Sequence, residues 1–300
     1  MKKYFRNQKG SVALLALWTV VGLTFMVLTL AYGVRQKITT FHHLDKMDEA
    51  RLKGEALLKK AIAETIDSGG KSEGGDYRIT SENGKININK ATADTLRLLL
   101  QKIAGVEEQN ADELAYAIVD FRDADDFISM HFDKGSEKDS YSRAGLQHAP
   151  KNAGFEFIYE LLWVKGMTKD IYSLIRNYIT IYGDGRVNIN TCDSALLAVL
   201  DFSPDLADKI DRVRRGQDLK IGTRDDFIFL DVQNMGNELA RFAPISESEN
   251  GEIRHAIVQR QIGTVSDCFS IAAIARFEGL RREMVCVYHL RDGIKYWAEG

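Results

Sequence analysis

Cysteine is scarce in this 300-residue chain, with only Cys192, Cys268 and Cys286, so a scaffold built on disulfides is excluded. If the region carrying them lies outside the cytoplasm, Cys268 and Cys286, in neighbouring predicted strands, are able to pair and leave Cys192 over; three buried thiols are the other reading. Catalytic patterns are missing as well. There is no H-E-x-x-H, no G-x-S-x-G and no zinc-ligand spacing, and His42, His43, His148, His255 and His289 form no nucleophile-base pattern. An enzyme is therefore not expected. Nor is there an excess of positive charge: 40 Lys and Arg against 43 Asp and Glu give a net charge of −3, which offers no general reason to expect nucleic acid as a partner.

The most informative absence is local. Residues 11–34, SVALLALWTVVGLTFMVLTLAYGV, carry no charge. As a helix this run is about 36 Å long at ~1.5 Å per residue, enough to cross a hydrocarbon core of roughly 30 Å. Ahead of it MKKYFRNQKG has Lys2, Lys3, Arg6 and Lys9 and no acid, whereas the far flank has Arg35 and Lys37 before acids appear. The positive-inside bias places the first ten residues in the cytoplasm and everything after the span on the other side.

Beyond the span the chain reads as globular, with 45% hydrophobic and 28% charged residues over its whole length. Ile38, Phe41, Leu44, Met47, Ala50, Gly54, Leu57, Leu58, Ala61 and Ile62 recur at helical steps, so the spacing predicts an amphipathic continuation to about Ile66, stopped by Ser68, Gly69 and Gly70. Asn83-Gly84 lies between Tyr77/Ile79 and Ile86/Ile88 and predicts a hairpin. Helical spacing then dominates in 92–103, 110–121, 155–164, 169–179, 192–200 and 204–215, while 225–232, 268–277, 283–290 and 294–297 read as strands, the last three as an antiparallel meander. The fold class expected is α+β. A sheet domain formed by 69–90 and 222–300 is interrupted by a mainly helical insertion over 91–221.

Two stretches carry chemistry. GKININKA at 84–91 and GRVNINTC at 185–192 echo each other, and Asn89 and Asn190 are placed to cap the helices that follow. Such segments occur in helix-hairpin-helix modules, whose hairpin amides bind DNA phosphates. That makes a membrane-anchored DNA-binding or uptake protein the alternative reading, with salt-sensitive duplex binding as its mark. The hairpins here are poor in glycine, and Lys209, Arg212, Arg214 and Arg215 read as a solvated helix end. The second stretch is acidic: Asp120, Asp123, Asp125, Asp126, Asp133, Glu137 and Asp139 fall within 120–141, interrupted by Gly135. Oxygen ligands at this density suit Ca2+, without EF-hand spacing, and a plain solvated loop has the same composition.

The short basic leader ending in Gly10 before an abrupt apolar run resembles the N-terminus of type IV pilins and pseudopilins, cut between Gly10 and Ser11. Those proteins usually have Glu at the fifth position after the cut; here it is Leu15. A-x-x-D-x-x-D-A-D at 117–125, G-S-E-x-D-x-Y at 135–141, N-A-G-F-x-x-x-x-E-L-L-x-V-K-G-M at 152–167 and V-N-I-N-T at 187–191, in that order, resemble the general secretion pathway protein K family, the large minor pseudopilin of type II secretion systems. Tyr296-Trp297 in the last strand pair also fits.

The resemblance implies a pilin-like stalk helix packed on an antiparallel sheet, with a large inserted α-domain. It implies calcium held by Asp123, Asp125, Glu137 and Asp139, with Asp120 as a further ligand. Cleavage by a prepilin peptidase and methylation of Ser11 are expected, in a single-pass inner-membrane protein with a periplasmic C-terminal domain. The expected partners are the minor pseudopilins I and J, in a tip complex, and the major pseudopilin; no nucleic acid is expected. With Leu15 unable to pair with a neighbour's terminal amine, the implied role is to cap the pseudopilus tip and start its assembly for export of folded proteins.

Overall fold

Aliphatic residues uninterrupted by proline form one helix, α1 (Lys9–Ser68), of 60 residues, about 90 Å long at 1.5 Å per residue. The computed structural model describes residues 9–68, 73–125, 141–143, 145, 149–219 and 225–300. The helix has two regimes. Its most apolar window has a mean hydropathy of 2.3 and none of it is buried within the chain. The hydroxyls of Thr19, Thr24 and Thr29 donate back to the carbonyls of Ala16, Val20 and Met26 at 2.8, 2.7 and 2.9 Å, which leaves these side chains satisfied where no water competes.

Burial begins only at Ala50. Ala50, Gly54, Leu58, Ala61 and Thr65 form the stripe that meets the sheet, whereas Ile38, Phe41 and Leu44, expected on that stripe, are exposed. Small residues let the helix approach closely: a Cβ on Gly54 would lie 2.8 Å from the Met284 sulfur.

The sheet beneath α1 contains β1 (Glu73–Gly74), β2 (Tyr77–Ser81), β7 (Cys268–Phe277), β8 (Leu280–His289) and β9 (Gly293–Glu299), antiparallel in the order β1-β2-β7-β8-β9. Alternation decides which residues face the helix. Tyr77, Ile79, Phe269, Ile271, Ala273, Met284 and Cys286 join Leu58 and Ala61 in one core. The tight β7–β8 turn has positive φ at Glu278 (44°) and Gly279 (86°), as a two-residue hairpin requires. It also reaches the stalk, where Lys46 pairs with Glu278 at 2.8 Å and Lys53 lies 3.9 Å above the Phe277 ring.

Between β2 and β7 comes the helical part: β3 (Ile86–Asn87), α2 (Ala93–Ala104), α3 (Glu108–Arg122), α4 (Lys169–Ile175), β4 (Ile179–Thr180), β5 (Val187–Asn188), α5 (Ser194–Val199), α6 (Pro204–Arg214), α7 (Met235–Leu239), α8 (Glu247–Val258) and β6 (Ile262–Gly263). Two parallel strand pairs, β3 with β4 and β5 with β6, stitch it together.

Three sequence expectations change here. The hairpin at Asn83-Gly84 does not form: Glu82–Gly84 is a 3-10 turn, and β2 pairs with β7 while β3 pairs with β4. The Asn83 side chain is used across the junction instead, accepting from the amides of Asp267 and Cys268 at 3.1 and 3.0 Å. The domain boundary at 221/222 moves too, because Phe229, Met235, Leu239, Ile253 and Ile262 belong to the helical core together with Leu96 and Leu196. Residues 225–232 therefore form no strand. Of the two readings of the cysteines, buried thiols is the one found, and Cys268 and Cys286 do not pair. Cys268 stands opposite His289 and Cys286 opposite Ile271, on different faces of the sheet, and all three thiols are free and buried.

Candidate functional site

The acidic run starts in the last turn of α3. Asp120 is buried at 6% exposure, Asp123 is the C-cap residue of α3 and Asp125 follows it. Burial pushes the Asp123 carboxyl above its usual value, and the charges of Asp125 and Asp120 push it the same way, against a main-chain hydrogen bond at Asp125 and the charge of Arg122. One Asp123 oxygen, Oδ1, is buried without a hydrogen-bond partner. Asp120, Asp123 and Asp125 thus lie at the negative end of a 15-residue helix dipole. The nearby cation, Arg122, donates to the carbonyls of Ile88 and Ala91. Asn152 Nδ2 donates to the Asp125 carbonyl, and the Asn152 amide donates to the Phe121 carbonyl at 3.1 Å.

All-oxygen donors with excess negative charge are the type a hard divalent cation takes, but among the described residues these three carboxylates do not form a group whose ligand atoms all lie within 4.8 Å of one another. Asp120, Asp123 and Asp125 are the expected ligands that lie among the described residues. Glu137 and Asp139, also expected as ligands, lie outside the described residues.

The two N-I-N stretches are one device used twice. Ile86 and Ile88 donate to the carbonyls of Tyr178 and Thr180 at 2.9 Å each, and Val187 and Ile189 donate to those of Gln261 and Gly263 at 2.8 and 2.9 Å. Asn87 Oδ1 accepts from the Asn89 amide at 2.9 Å, as Asn188 Oδ1 does from the Asn190 amide at 2.9 Å. Asn89 then forms a reciprocal pair with the Phe155 main chain at 2.9 and 2.7 Å, and Asn190 one with that of Phe229 at 2.9 Å both ways. Neither Asn89 nor Asn190 caps a helix. Thr92 and Asp193 do so, accepting from the amides of Thr95 and Ala195 at 3.2 and 2.9 Å. The guanidinium is repeated as well, since Arg214 donates to the carbonyls of Ile189 and Cys192 at 3.2 and 2.6 Å.

The cationic cluster is not a free solvated end. Lys209 pairs with Glu249 at 2.6 Å, Arg212 with Asp208 at 2.9 Å and Arg215 with Asp211 at 2.7 Å, while Arg214 is 3% exposed. Acids occupy the first turns where a hairpin would present amides to phosphate: Glu108 on α3, preceded by Glu107, and Asp205 on α6. The thiols offer no nucleophile, because burial pushes Cys192, Cys268 and Cys286 up to about 11, 12 and 11. Spacing did not single out Asp218, Asp225 and Asp226, which can bring one carboxylate oxygen each within 4.8 Å of the others. They are largely exposed and follow α6 as Asp123 and Asp125 follow α3.

Comparison with known proteins adds two findings. Residues 77–184 match the family described as "Type II secretion system (T2SS), protein K", a match that runs from β2 through the first of the two repeated units. The fold is that of a chain of the GspK-GspI-GspJ complex from the enterotoxigenic Escherichia coli Type 2 Secretion System, with a TM-score of 0.65 and 15% identity, covering 86% of this chain and 98% of that one. No curated protein is matched by sequence.

Proposed function

We propose, from the match of residues 77–184 to the type II secretion system protein K family, that this chain is a minor pseudopilin that caps the pseudopilus and starts its assembly. The observation that carries the reading is the form of α1: an unburied apolar half continuous with a half packed on a sheet, with Leu15 presented outward at 68% exposure. In lipid, a carboxylate at that position would attract a neighbouring subunit's terminal amine strongly. Leucine does not attract it.

Cleavage between Gly10 and Ser11 by a prepilin peptidase, with methylation of the new end, would leave a Ser11 amine for a subunit below. The chain then fits the top of a filament and fits poorly in its shaft. The inner membrane holds it before assembly, with the leader in the cytoplasm and the sheet and helical parts in the periplasm. A neighbour in fold comes from a three-protein complex, which supports the minor pseudopilins I and J as partners, with the major pseudopilin beneath.

Asp120, Asp123 and Asp125, with Glu137 and Asp139 from the same acidic stretch, would hold calcium. Bound there, the ion supplies positive charge that offsets the carboxylates crowding the end of α3. The DNA reading loses support from the paired cations and the acids on the helix first turns.

The test is Leu15→Glu in cells that assemble the system. The variant is expected to lose its restriction to the tip and to lower secretion. Even distribution of the unaltered protein along the filament, or entry of Leu15→Glu into the shaft with secretion intact, overturns the reading.

A further inference from the structure

We infer that His289 is a pH-operated latch where the helical part joins the sheet, gripping the β8–β9 turn when neutral and the returning chain when protonated. The chain leaves the sheet after β2 through the 3-10 turn Glu82–Gly84 and comes back at Asp267, just before β7. Both crossings meet at one place. Asn83 accepts from the amides of Asp267 and Cys268 and donates to Asp267 Oδ1 at 3.0 Å, and the Asp267 carbonyl accepts from the Leu290 amide at 2.8 Å. His289, the last residue of β8 and opposite Cys268, stands beside that knot with its side chain 17% exposed. Its two ring nitrogens have different duties. Nδ1 accepts from the amides of Arg291 and Asp292 at 3.3 and 3.2 Å, which holds the turn into β9. Nε2 lies 3.4 Å from Asp267 Oδ2.

A nitrogen that accepts from amides carries no proton, so this arrangement requires the neutral ring with its hydrogen on Nε2. Histidine is the side chain whose charge changes between pH 5 and 8. The arriving proton takes Nδ1, turns that acceptor into a donor and finds Asp292 Oδ2 3.4 Å away. The charged ring then stands between two carboxylates, Asp267 on the crossing and Asp292 on the turn. The other charged and titratable groups at the latch are already engaged. Lys295 pairs with Asp292 at 2.8 Å and, by that hydrogen bond first and its charge second, holds the Asp292 carboxyl below its ordinary value. Burial pushes the Cys268 thiol up to about 12, and Glu82 on the outgoing crossing is taken by Lys85 and Thr180 at 2.6 and 2.5 Å. Acid thus tightens the crossing and releases the turn amides.

The experiment is hydrogen exchange of the full chain in detergent, read by mass spectrometry at pH 8 and pH 5 and corrected for the intrinsic effect of pH on exchange. The unaltered protein is compared with His289→Asn and Asp267→Asn. In the unaltered chain, protection of the Arg291 and Asp292 amides is expected to fall about 2- to 10-fold at pH 5, the scale of one ordinary hydrogen bond, while that of Asp267 and Cys268 rises. His289→Asn keeps a side-chain acceptor but no titrating ring, so both changes should vanish. Asp267→Asn keeps an oxygen for Asn83 and should lose the rise at the crossing while retaining the fall at the turn; it carries the test if His289→Asn fails to fold. Protection in the unaltered chain that does not depend on pH, the same dependence in His289→Asn, or a full rise at the crossing in Asp267→Asn overturns the inference.

Discussion

Residues 86–91 and 187–192 share their main-chain hydrogen bonds and the reciprocal pair made by Asn89 and Asn190, yet the connections they anchor differ. The first unit holds Phe155 and follows an α3 with an acidic end, and the second holds Phe229. One frame therefore carries two different loads. The bonds of the frame run from backbone to backbone, or from Asn and Arg to backbone, and so do not depend on what the connection contains. Chemistry can vary in the connection while the frame persists.

The largest expected effect breaks the two guanidinium braces. Arg214 is 3% exposed and engages Asp211, Ser194 and two carbonyls. Arg214→Ala should cost about 3–5 kcal/mol in denaturant unfolding, because it leaves the Ile189 and Cys192 carbonyls without their donor at about 1–3 kcal/mol each. Arg122, less buried, should cost about 1.5–3 kcal/mol when changed to Ala, the scale of hydrogen bonds from a charged group. Equal costs would show that burial does not separate the two units.

A smaller effect belongs to the second unit. Ser246 and Glu249 form a capping box on α8, and Glu249 also takes Lys209 of α6. The Lys209 hydrogen bond first, and the Ser246 amide second, hold the Glu249 carboxyl down at about 2. Its stabilisation is thus present above the ordinary value of 4.5 and lost as pH falls toward 2. Glu249→Gln should cost about 1 kcal/mol near neutral pH and flatten the fall in melting temperature below pH 4.5. An acid limb as steep as that of the unaltered protein would rule this out.

The smallest effect has the opposite sign. Asp123 is raised above its ordinary value of 3.8, so its contribution favours folding below that pH and is lost as pH rises through the raised value. In chelator at pH 7, Asp123→Asn should be more stable than the unaltered chain, by less than about 1 kcal/mol because solvent screens a half-exposed carboxylate. The advantage should vanish in acid, and the variant should not respond to calcium. A destabilised Asp123→Asn in chelator would remove the strained-carboxylate account of this unit.

Much of the fold was readable because its signals are contiguous. The uncharged run in 11–34 became the unburied half of α1, and alternation at the C-terminal end became the β7-β8-β9 meander. The N-I-N echo was visible, but the work of its second asparagine was not, since Asn89 and Asn190 bind main chain 66 and 39 residues away. Asn83-Gly84 misled for the same reason. A local turn signal yielded to β2 pairing with β7, where Ser81 meets Phe269, and to Asn83 bridging to Asp267. The 221/222 boundary failed because the alternating phenylalanines at 227 and 229 pack into a helical core and form no strand.

Of the candidate ligands, composition picked out the acidic stretch, but only the fold leaves Asp123 Oδ1 buried without a partner. By itself the sequence determined that a long apolar helix with Leu15 near its start leads into a sheet and a repeated helical unit, because hydrophobic length, period and motif are properties of neighbouring residues. Which arginine is buried and which asparagine clasps which connection were decided by the tertiary structure. Those are meetings between residues far apart in the chain, and nothing local encodes them.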